Sequence, residues 1–357
     1  LAGNPDPADK ARFLIPIVHA FTRADETRAA LDLLDTVTIR GISDPALRQK
    51  TFNELDMRKA IAWLRLGERQ NCVAHHTGDS CILPIRRGGI HQQTEGSTKA
   101  RELFIRILER DPANLDAIWL LNLTAMTLGE HPDSVPPEHR IPAAAFAPEA
   151  EFPRFEDVAR KFGVDVTGLA GGGITADFNN DHRLDLMVTS HGLGDQIRFF
   201  SGRSGKPFED RTPISGLAGM NGGFNLTCAD YNNDGWLDVF VLRGAWWMAD
   251  GKYPNSLLRN NGDGTFTDVT EAAGLLSFHP TQTAVWFDYN NDGWIDLFIG
   301  NESFGTEQAP SEFYSNSGDG TFAEVSAEVG LGIRKYVKSA ASADYDNDGR
   351  PDLFVSI

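Results

Sequence analysis

Four nine-residue segments of this sequence place acidic and amide side chains at fixed alternate positions. They are DFNNDHRLD (177–185), DYNNDGWLD (230–238), DYNNDGWID (288–296) and DYDNDGRPD (344–352), and are called loops 1 to 4 below. Asp or Asn stands at positions 1, 3, 5 and 9 of every loop. Oxygen atoms at this spacing suit Ca²⁺, which takes six to eight oxygen ligands at about 2.3–2.6 Å. The loops therefore predict four calcium sites.

The predicted ligands are the side chains at positions 1, 3, 5 and 9 and the backbone carbonyl at position 7. In chain order, the residues that supply them are Asp177, Asn179, Asp181, Arg183 and Asp185; Asp230, Asn232, Asp234, Trp236 and Asp238; Asp288, Asn290, Asp292, Trp294 and Asp296; and Asp344, Asp346, Asp348, Arg350 and Asp352. Glycine at position 6 permits the sharp turn in loops 2 to 4, because it enters positive φ without steric cost. Loop 1 has His182 there, and its site is predicted to be the weakest.

Acidic turns of this kind have a second explanation that needs no ion. Asp and Asn side chains bond to their own backbone and form Asx turns. Such a turn does not need three or four carboxylates directed at one point, where they would repel one another, so four repeats favour calcium. An EF-hand is excluded, because position 12 is Val188, Val241, Ile299 or Val355 instead of Glu, and the flanks are strand-like rather than helical.

The loops belong to longer repeats. Phe155, Phe208, Phe266 and Phe322 each stand 22 residues before the first Asp of a loop, and the repeats follow at spacings of 53, 58 and 56 residues. Each repeat predicts one strand before the loop, one after it, and a hairpin closed by Asn-Gly and Asp-Gly turns. Four antiparallel strands per repeat, arranged radially, form a β-propeller with the calcium loops between the first and second strands of each blade.

These residues carry a family resemblance. The loops with their flanking strands resemble the FG-GAP/VCBS repeats of integrin α-subunit propellers, and RNNGDGTFTDVTEAAGL (259–275) is similar to the cartilage acidic protein (ASPIC/UnbV-like) family. The resemblance extends over about 152–357. It implies a calcium-bearing propeller, usually of seven blades, outside the cytoplasm, and it implies no single shared activity.

The repeats do not complete such a ring. RFEDVARKFGV (154–164) matches the fourth-strand phrase without three strands before it, and the sequence stops at PDLFVSI, after the second strand of the fourth repeat. In closed propellers a strand from one terminus commonly completes a blade begun by the other, which hides two sheet edges. The sequence therefore predicts an incomplete copy of a longer protein, or a ring whose missing blades come from elsewhere.

The N-terminal part predicts an all-α domain. Helical spacing favours helices over 8–21, 24–36 and 44–67, and over 97–129, where Asp111-Pro112 separates two helices. ILERDPANLDAIWLLNLTAMTLG resembles a tetratricopeptide hairpin, which implies either a peptide-binding groove or a helical cap on the propeller. The predicted domains are 1–130 (helical), 131–152 (a Pro-rich linker) and 153–357 (a partial propeller).

Two cysteines and three histidines cluster between the helices, in NCVAHHTGDSCILPIRRGGIH (71–91). A Cys72–Cys81 disulfide is the first interpretation, as expected outside a reducing compartment. Two buried thiols are the second, and a Cys/His metal site the third, since no C-x-x-C or His-x₃₋₅-His spacing is present. Cys228 is predicted to be a small core residue.

Charge and hydropathy restrict the partners. The formal charge is −17, to which the loops contribute 13 carboxylates at ligand positions, and this acidity disfavours nucleic acid and anionic membrane surfaces. No run of about 18 apolar residues suggests a membrane span. The start, LAGNPDPADK, lacks the pattern of a signal peptide and is compatible with a mature or trimmed terminus.

Function follows from these features as a hypothesis. The sequence favours an extracellular or periplasmic, calcium-stabilised scaffolding or adhesion module that binds a protein or glycan through the loops 191–196, 244–255 and 301–312. Trp246 and Trp247 are the candidate anchors there, and packing onto their own blade is the more common role for such a pair. A subunit of a larger surface or periplasmic assembly is the alternative. An enzyme is disfavoured, because catalytic motifs are lacking and His191, His279 and Glu307 stand isolated.

Overall fold

The computed structural model of this protein describes residues 21, 26–37, 43–80, 82–146, 150, 153, 155–305 and 308–357. The chain forms two compact units, Leu1–Asp157 and Val158–Ile357. The first unit is helical and the second is built from β-sheets. Among the described helices, none combines the length and the apolar character needed to cross a bilayer.

Four α-helices are described in the first unit. They are α1 (Thr27–Thr36), α2 (Pro45–Glu68), α3 (Glu95–Arg110) and α4 (Leu115–Thr127). Asp44 starts α2 by accepting hydrogen bonds from the N–H groups of Ala46 (2.8 Å) and Leu47 (3.3 Å), with Pro45 in the first turn. The predicted helices over 24–36, 44–67 and 97–129 are confirmed within the described residues, and 8–20 lies outside them.

The segments that connect these helices are packed rather than extended. Buried Asn71 ties down the segment after α2, because its Oδ1 accepts from the N–H groups of Gln92 and Gln93 and its Nδ2 donates to Gly67 O and Gln93 O. The described part of the predicted linker 131–152 folds onto the helical core, where Val135 is buried. Its backbone there bonds to the amide of Asn122, which donates to His139 O and accepts from Ile141 N–H.

Fourteen strands and two short α-helices are described in the second unit. The strands are β1 (Gly173–Ala176), β2 (Asp185–Val188), β3 (Arg198–Ser201), β4 (Glu209–Asp210), β5 (Asn225–Ala229), β6 (Asp238–Leu242), β7 (Ser256–Asn260), β8 (Phe266–Asp268), β9 (Thr281–Phe287), β10 (Asp296–Asn301), β11 (Glu312–Asn316), β12 (Phe322–Glu324), β13 (Ser339–Ala343) and β14 (Asp352–Ser356). The helices are α5 (Ala159–Phe162) and α6 (Ser326–Val329).

The strands pair in sequence order, as the repeats predict. β1–β4, β5–β8 and β9–β12 form antiparallel four-stranded sheets, called sheets 1 to 3, and β13 and β14 form a two-stranded sheet 4. Loops 1 to 4 connect the first and second strands of sheets 1 to 4. The described strands do not close into a ring, so the seven-bladed architecture that the resemblance implies is not seen in them.

Side chains of the second strand alternate between the two faces of its sheet and pack against the sheets on either side. Val239 and Val241 of β6 pack in one apolar cluster with Met187 of sheet 1. Phe240 and Leu242, which point to the opposite face, pack in another cluster with residues of sheet 3. A strand that is buried on both faces reads as a continuous apolar run, and all five residues of β6 are buried.

Two buried asparagines add polar ties between neighbouring sheets. Asn260, at the end of β7, donates through Nδ2 to Phe178 O in loop 1 (2.8 Å). Asn316, at the end of β11, donates to Tyr231 O in loop 2 (2.8 Å). Each therefore joins the end of a third strand to the acidic loop of the preceding sheet.

Candidate metal sites

The four acidic loops share one backbone conformation. Asn at position 4 has a φ between 55° and 59° in every loop, and position 6 also has positive φ. Gly occupies position 6 in loops 2 to 4, whereas His182 adopts φ 65° in loop 1. His182 therefore does not change the course of loop 1, although a non-glycine residue in this region carries a steric cost.

Within each loop the side-chain oxygens of positions 1 and 3 converge on one backbone N–H. In loop 2 the N–H of Asp234 donates to Asp230 Oδ1 (3.0 Å) and to Asn232 Oδ1 (3.2 Å). The N–H groups of positions 6 and 7 then bond to the carboxylates of positions 1 and 5. The equivalent bonds are present in the other three loops.

Loop 4 shows the convergence of carboxylates most directly. Asp344, Asp346 and Asp348 each place one carboxylate oxygen within 4.8 Å of the other two, and all three residues are exposed. Hard oxygen donors gathered at one point are what Ca²⁺ takes from a protein. Loops 1 to 3 carry an amide oxygen at position 3 in place of the second carboxylate. The donor set of all four loops thus fits the ion.

The carboxylate at position 9 has a role that the sequence did not predict. Asp185, Asp238 and Asp296 are 0 to 1% exposed. The two oxygens of Asp238 accept from Tyr231 N–H (3.3 Å) and from Asn260 N–H at the end of β7 (2.7 Å). Asp185 and Asp296 make the equivalent pairs of bonds. This carboxylate thus anchors the loop to the third strand of its own sheet.

Burial makes the charge of these carboxylates costly. Burial raises the pKa of Asp238 to about 7, with smaller contributions in the same direction from the carboxylates of Asp234 and Asp230. Burial likewise raises the pKa of Asp185 and of Asp296. A carboxylate oxygen has two lone pairs, so one N–H bond leaves room for a cation, which would favour the charged form.

The residues at position 7 of loops 2 and 3 pack on the hairpins of their sheets. A Cβ atom at Gly262, in the turn between β7 and β8, would lie 2.8 Å from Cε2 and Nε1 of Trp236. A Cβ at Gly318 would lie 2.9 Å from the same atoms of Trp294. Glycine in each turn therefore lets an indole ring lie directly on the backbone, which connects the acidic loop to the turn.

This contact predicts that Gly262→Ala destabilises the protein more than Gly264→Ala does. Both glycines have positive φ, so alanine costs about 1–2 kcal/mol of conformational strain at either position. Only Gly262 faces Trp236, since no described atom lies within 4 Å of a Cβ at Gly264. We expect an additional loss of about 2 kcal/mol from overpacking. Urea unfolding of both variants measures the difference, and equal stabilities would contradict the contact.

Comparison with known proteins places these loops in a family. Residues 167–241, 245–299 and 288–355 match the FG-GAP-like repeat, and together they cover more than half of the chain. The chain belongs to the FG-GAP-like repeat family. The matched residues include all four acidic loops.

The chain also has relatives among curated proteins. It is 32% identical over 107 residues to cartilage acidic protein 1 of Homo sapiens and 31% identical over 107 residues to that of Mus musculus. The protein of the same name from Xenopus tropicalis is 28% identical over 104 residues. Each match covers 29% of this chain but only 15 to 16% of the relative.

At the opposite end of the FG-GAP-like sheets, Trp246 and Trp247 lie in an aromatic cluster. Trp246 is 45% exposed and its ring meets Phe224 edge to face at 4.6 Å. Trp247 is half-buried and stacks on His191 at 5.3 Å. The N–H of Trp246 donates to the buried carboxylate of Glu302 (2.9 Å), which the sequence did not single out.

The isolated histidines of the sequence analysis have structural partners. His191 Nε2 bonds to Ala245 O at 2.9 Å, beneath Trp247. His279 Nδ1 lies 3.4 Å from Oε2 of buried Glu312, which also accepts from Ser277, Asn301 and Tyr314. Glu307 lies outside the described residues.

Cys72 and Cys228 lie within the described residues. Cys81 lies outside the described residues, so its disulfide with Cys72 stays a prediction. Cys72 Sγ lies 3.5 Å from Nε2 of buried His91, whose Nδ1 bonds to Ser97 Oγ at 2.8 Å. Cys228 is partly buried against the cluster shared by sheets 1 and 2, and burial raises the pKa of its thiol.

Proposed function

We propose that this chain is a calcium-stabilised interaction module that acts outside the cytoplasm. The observation that carries the proposal is the repeated loop: carboxylate oxygens from positions 1, 3 and 5 converge in loop 4, and the carboxylate at position 9 anchors loops 1 to 3 to their sheets. Four such loops would hold about four Ca²⁺ ions through the twenty residues identified above. Bound Ca²⁺ would neutralise the clustered carboxylates and fix the first two strands of each sheet together.

The proposed location follows from the expected affinity and from the relatives. Extracellular calcium modules bind with dissociation constants of about 10⁻⁴–10⁻³ M. Exposed loops such as loop 4 are suited to this range. The similarity to proteins named for cartilage supports an extracellular setting, and a periplasmic setting has the same chemistry.

The proposed partner surface is the end of the sheets opposite to the acidic loops. Trp246, Met248 and Phe278 are each about half exposed there. Met248 and Phe278 border a cleft of about 220 Å³ that also includes His279 and Phe304. Exposed aromatic side chains are frequent anchors of protein interfaces, so a protein or a glycan is the proposed partner.

Two further parts of the proposal concern the helical unit and catalysis. Helices α3 and α4 pack together on either side of Asp111-Pro112, which supports a tetratricopeptide-like hairpin. This hairpin would suit the chain as a subunit of a larger surface assembly, the second candidate function.

No catalytic activity is proposed, since His191 and His279 are engaged in structural contacts.

Equilibrium dialysis with Ca²⁺ tests the proposal. We expect up to four ions per chain, and one ion fewer when Asp230→Asn and Asp234→Asn remove two carboxylates of loop 2. Asp263→Asn is the matched control, because Asp263 is also exposed and lies in the adjacent hairpin turn, where it accepts from Thr265. Absence of bound Ca²⁺ at millimolar concentration, or an equal loss in the control, would contradict the proposal.

A further inference from the structure

Asparagine at position 4 of an acidic loop reaches the next loop along the chain. Its Nδ2 donates to the carbonyl oxygen of position 6 in the following loop, at 2.9–3.1 Å. The three bonds are Asn180 to Gly235 O, Asn233 to Gly293 O and Asn291 to Gly349 O. The left-handed backbone at position 4 recurs in all four loops, so the same side chain is presented each time.

The carbonyl that accepts this bond belongs to a peptide group inside the predicted site. In loop 3, Gly293 O accepts from Asn233, while the N–H of the same peptide group, that of Trp294, donates to Asp292 Oδ1 at 2.8 Å. Rotation of this peptide group would break the bond that holds the carboxylate at position 5. Asn233 of loop 2 therefore helps to fix a predicted ligand of loop 3.

A second tie connects the same loops in the reverse direction. Asn316 donates from its side chain to Tyr231 O in loop 2, and its backbone N–H donates to Asp296 Oδ1 of loop 3 at 2.8 Å. Asn260 joins loops 1 and 2 in the same way. Loops 1 and 2, and loops 2 and 3, thus share two separate hydrogen-bonded connections.

From these ties we infer that the acidic loops bind cations as a coupled row, and that Asn180, Asn233 and Asn291 are positioning residues for the loop that follows each of them. This inference rests on the proposed calcium binding. A cation in one loop orders its backbone and fixes the position-4 side chain, so less ordering remains when the next loop binds. Coupling of this kind strengthens binding reciprocally, and typical values are about 5- to 150-fold.

Terbium luminescence can follow a single loop in the whole chain. Tb³⁺ replaces Ca²⁺ as the probe, and tryptophan at position 7 sensitises its emission in loops 2 and 3 but not in loops 1 and 4, which carry arginine. The part of the emission that Trp294→Phe removes reports loop 3. We expect Asn233→Gly to weaken Tb³⁺ binding at loop 3 by about fivefold or more.

Asn347→Gly is the matched control. It makes the same change at the same left-handed position of loop 4, and no loop-to-loop bond of the Asn347 side chain is found within the described residues. We expect it to change the affinity of loop 3 by less than about twofold. Removing carboxylates from loop 2 (Asp230→Asn with Asp234→Asn) is also expected to weaken loop 3, and to weaken it less in a chain that already carries Asn233→Gly.

Three results would overturn the inference. Equal Tb³⁺ affinity of loop 3 with and without Asn233→Gly would show that the loops bind independently, while leaving the proposed function intact. An equal loss in Asn347→Gly would assign the effect to glycine itself. Absence of Tb³⁺ binding in the unaltered chain would overturn the proposed function and this inference with it.

Discussion

Saturating Ca²⁺ is expected to raise the unfolding temperature of the sheet unit by about 20 °C or more, and excess EGTA is expected to reverse the rise. A ligand that binds only the folded state at 100 times its dissociation constant stabilises by about 2.7 kcal/mol per site. Four sites would contribute about 10 kcal/mol, and each kcal/mol shifts the midpoint by about 2–4 °C in a unit of this size.

Tryptophan fluorescence is a suitable measurement, because five of the seven tryptophans lie in the sheet unit. Mg²⁺ at the same concentration is the control for ionic strength and charge. Mg²⁺ requires near-ideal octahedral geometry and loses its waters reluctantly, so it should raise the midpoint much less. An unfolding midpoint that is the same in Ca²⁺ and in EGTA would contradict the prediction that Ca²⁺ bound to the loops stabilises the sheet unit.

Asn260→Ala is expected to destabilise the sheet unit by about 3–5 kcal/mol, since each buried polar group left without a partner costs about 1–3 kcal/mol. The side chain of Asn260 donates to Phe178 O (2.8 Å) and Leu237 O (3.1 Å) and accepts from Gly262 N–H (3.0 Å). Alanine provides none of these bonds, and the site is buried.

Asn261→Ala provides the comparison within the same turn. Asn261 is exposed and bonds to the hydroxyl groups of Thr265 and Thr267, so its loss should cost less than about 1 kcal/mol. Urea unfolding curves of the two variants give the difference directly. If Asn260→Ala costs no more than Asn261→Ala, the buried ties between neighbouring sheets contribute little.

Features that repeat along the sequence could be predicted well. The spacing of the loops and the apolar runs after them locate the first and second strands, and the Asn-Gly and Asp-Gly turns locate the hairpins. These signals are local, because turn chemistry and strand periodicity depend on adjacent residues. Asp111-Pro112 likewise marks the break between α3 and α4.

Contacts between distant residues could not be predicted in this way. Asn at position 4 is present in all four loops, so its repetition was a visible signal, but its acceptor lies about 55 to 60 residues away. Asn260 and Asn316 end two third strands, and nothing local shows that each bonds to the preceding sheet. Glu302 and Glu312 are buried by residues from other strands, which single-sequence periodicity does not reveal.

The backbone at Trp246 has a consequence for which residues this position tolerates. With φ at 65°, it lies in a region that glycine enters freely and where a side chain with a Cβ costs about 1–2 kcal/mol. The backbone conformation alone would therefore favour glycine there, and the contact of the indole with Phe224 offsets part of this cost. Because nearly half of the indole stays exposed, the requirement of the backbone and the requirement for an aromatic surface favour different residues at this one position.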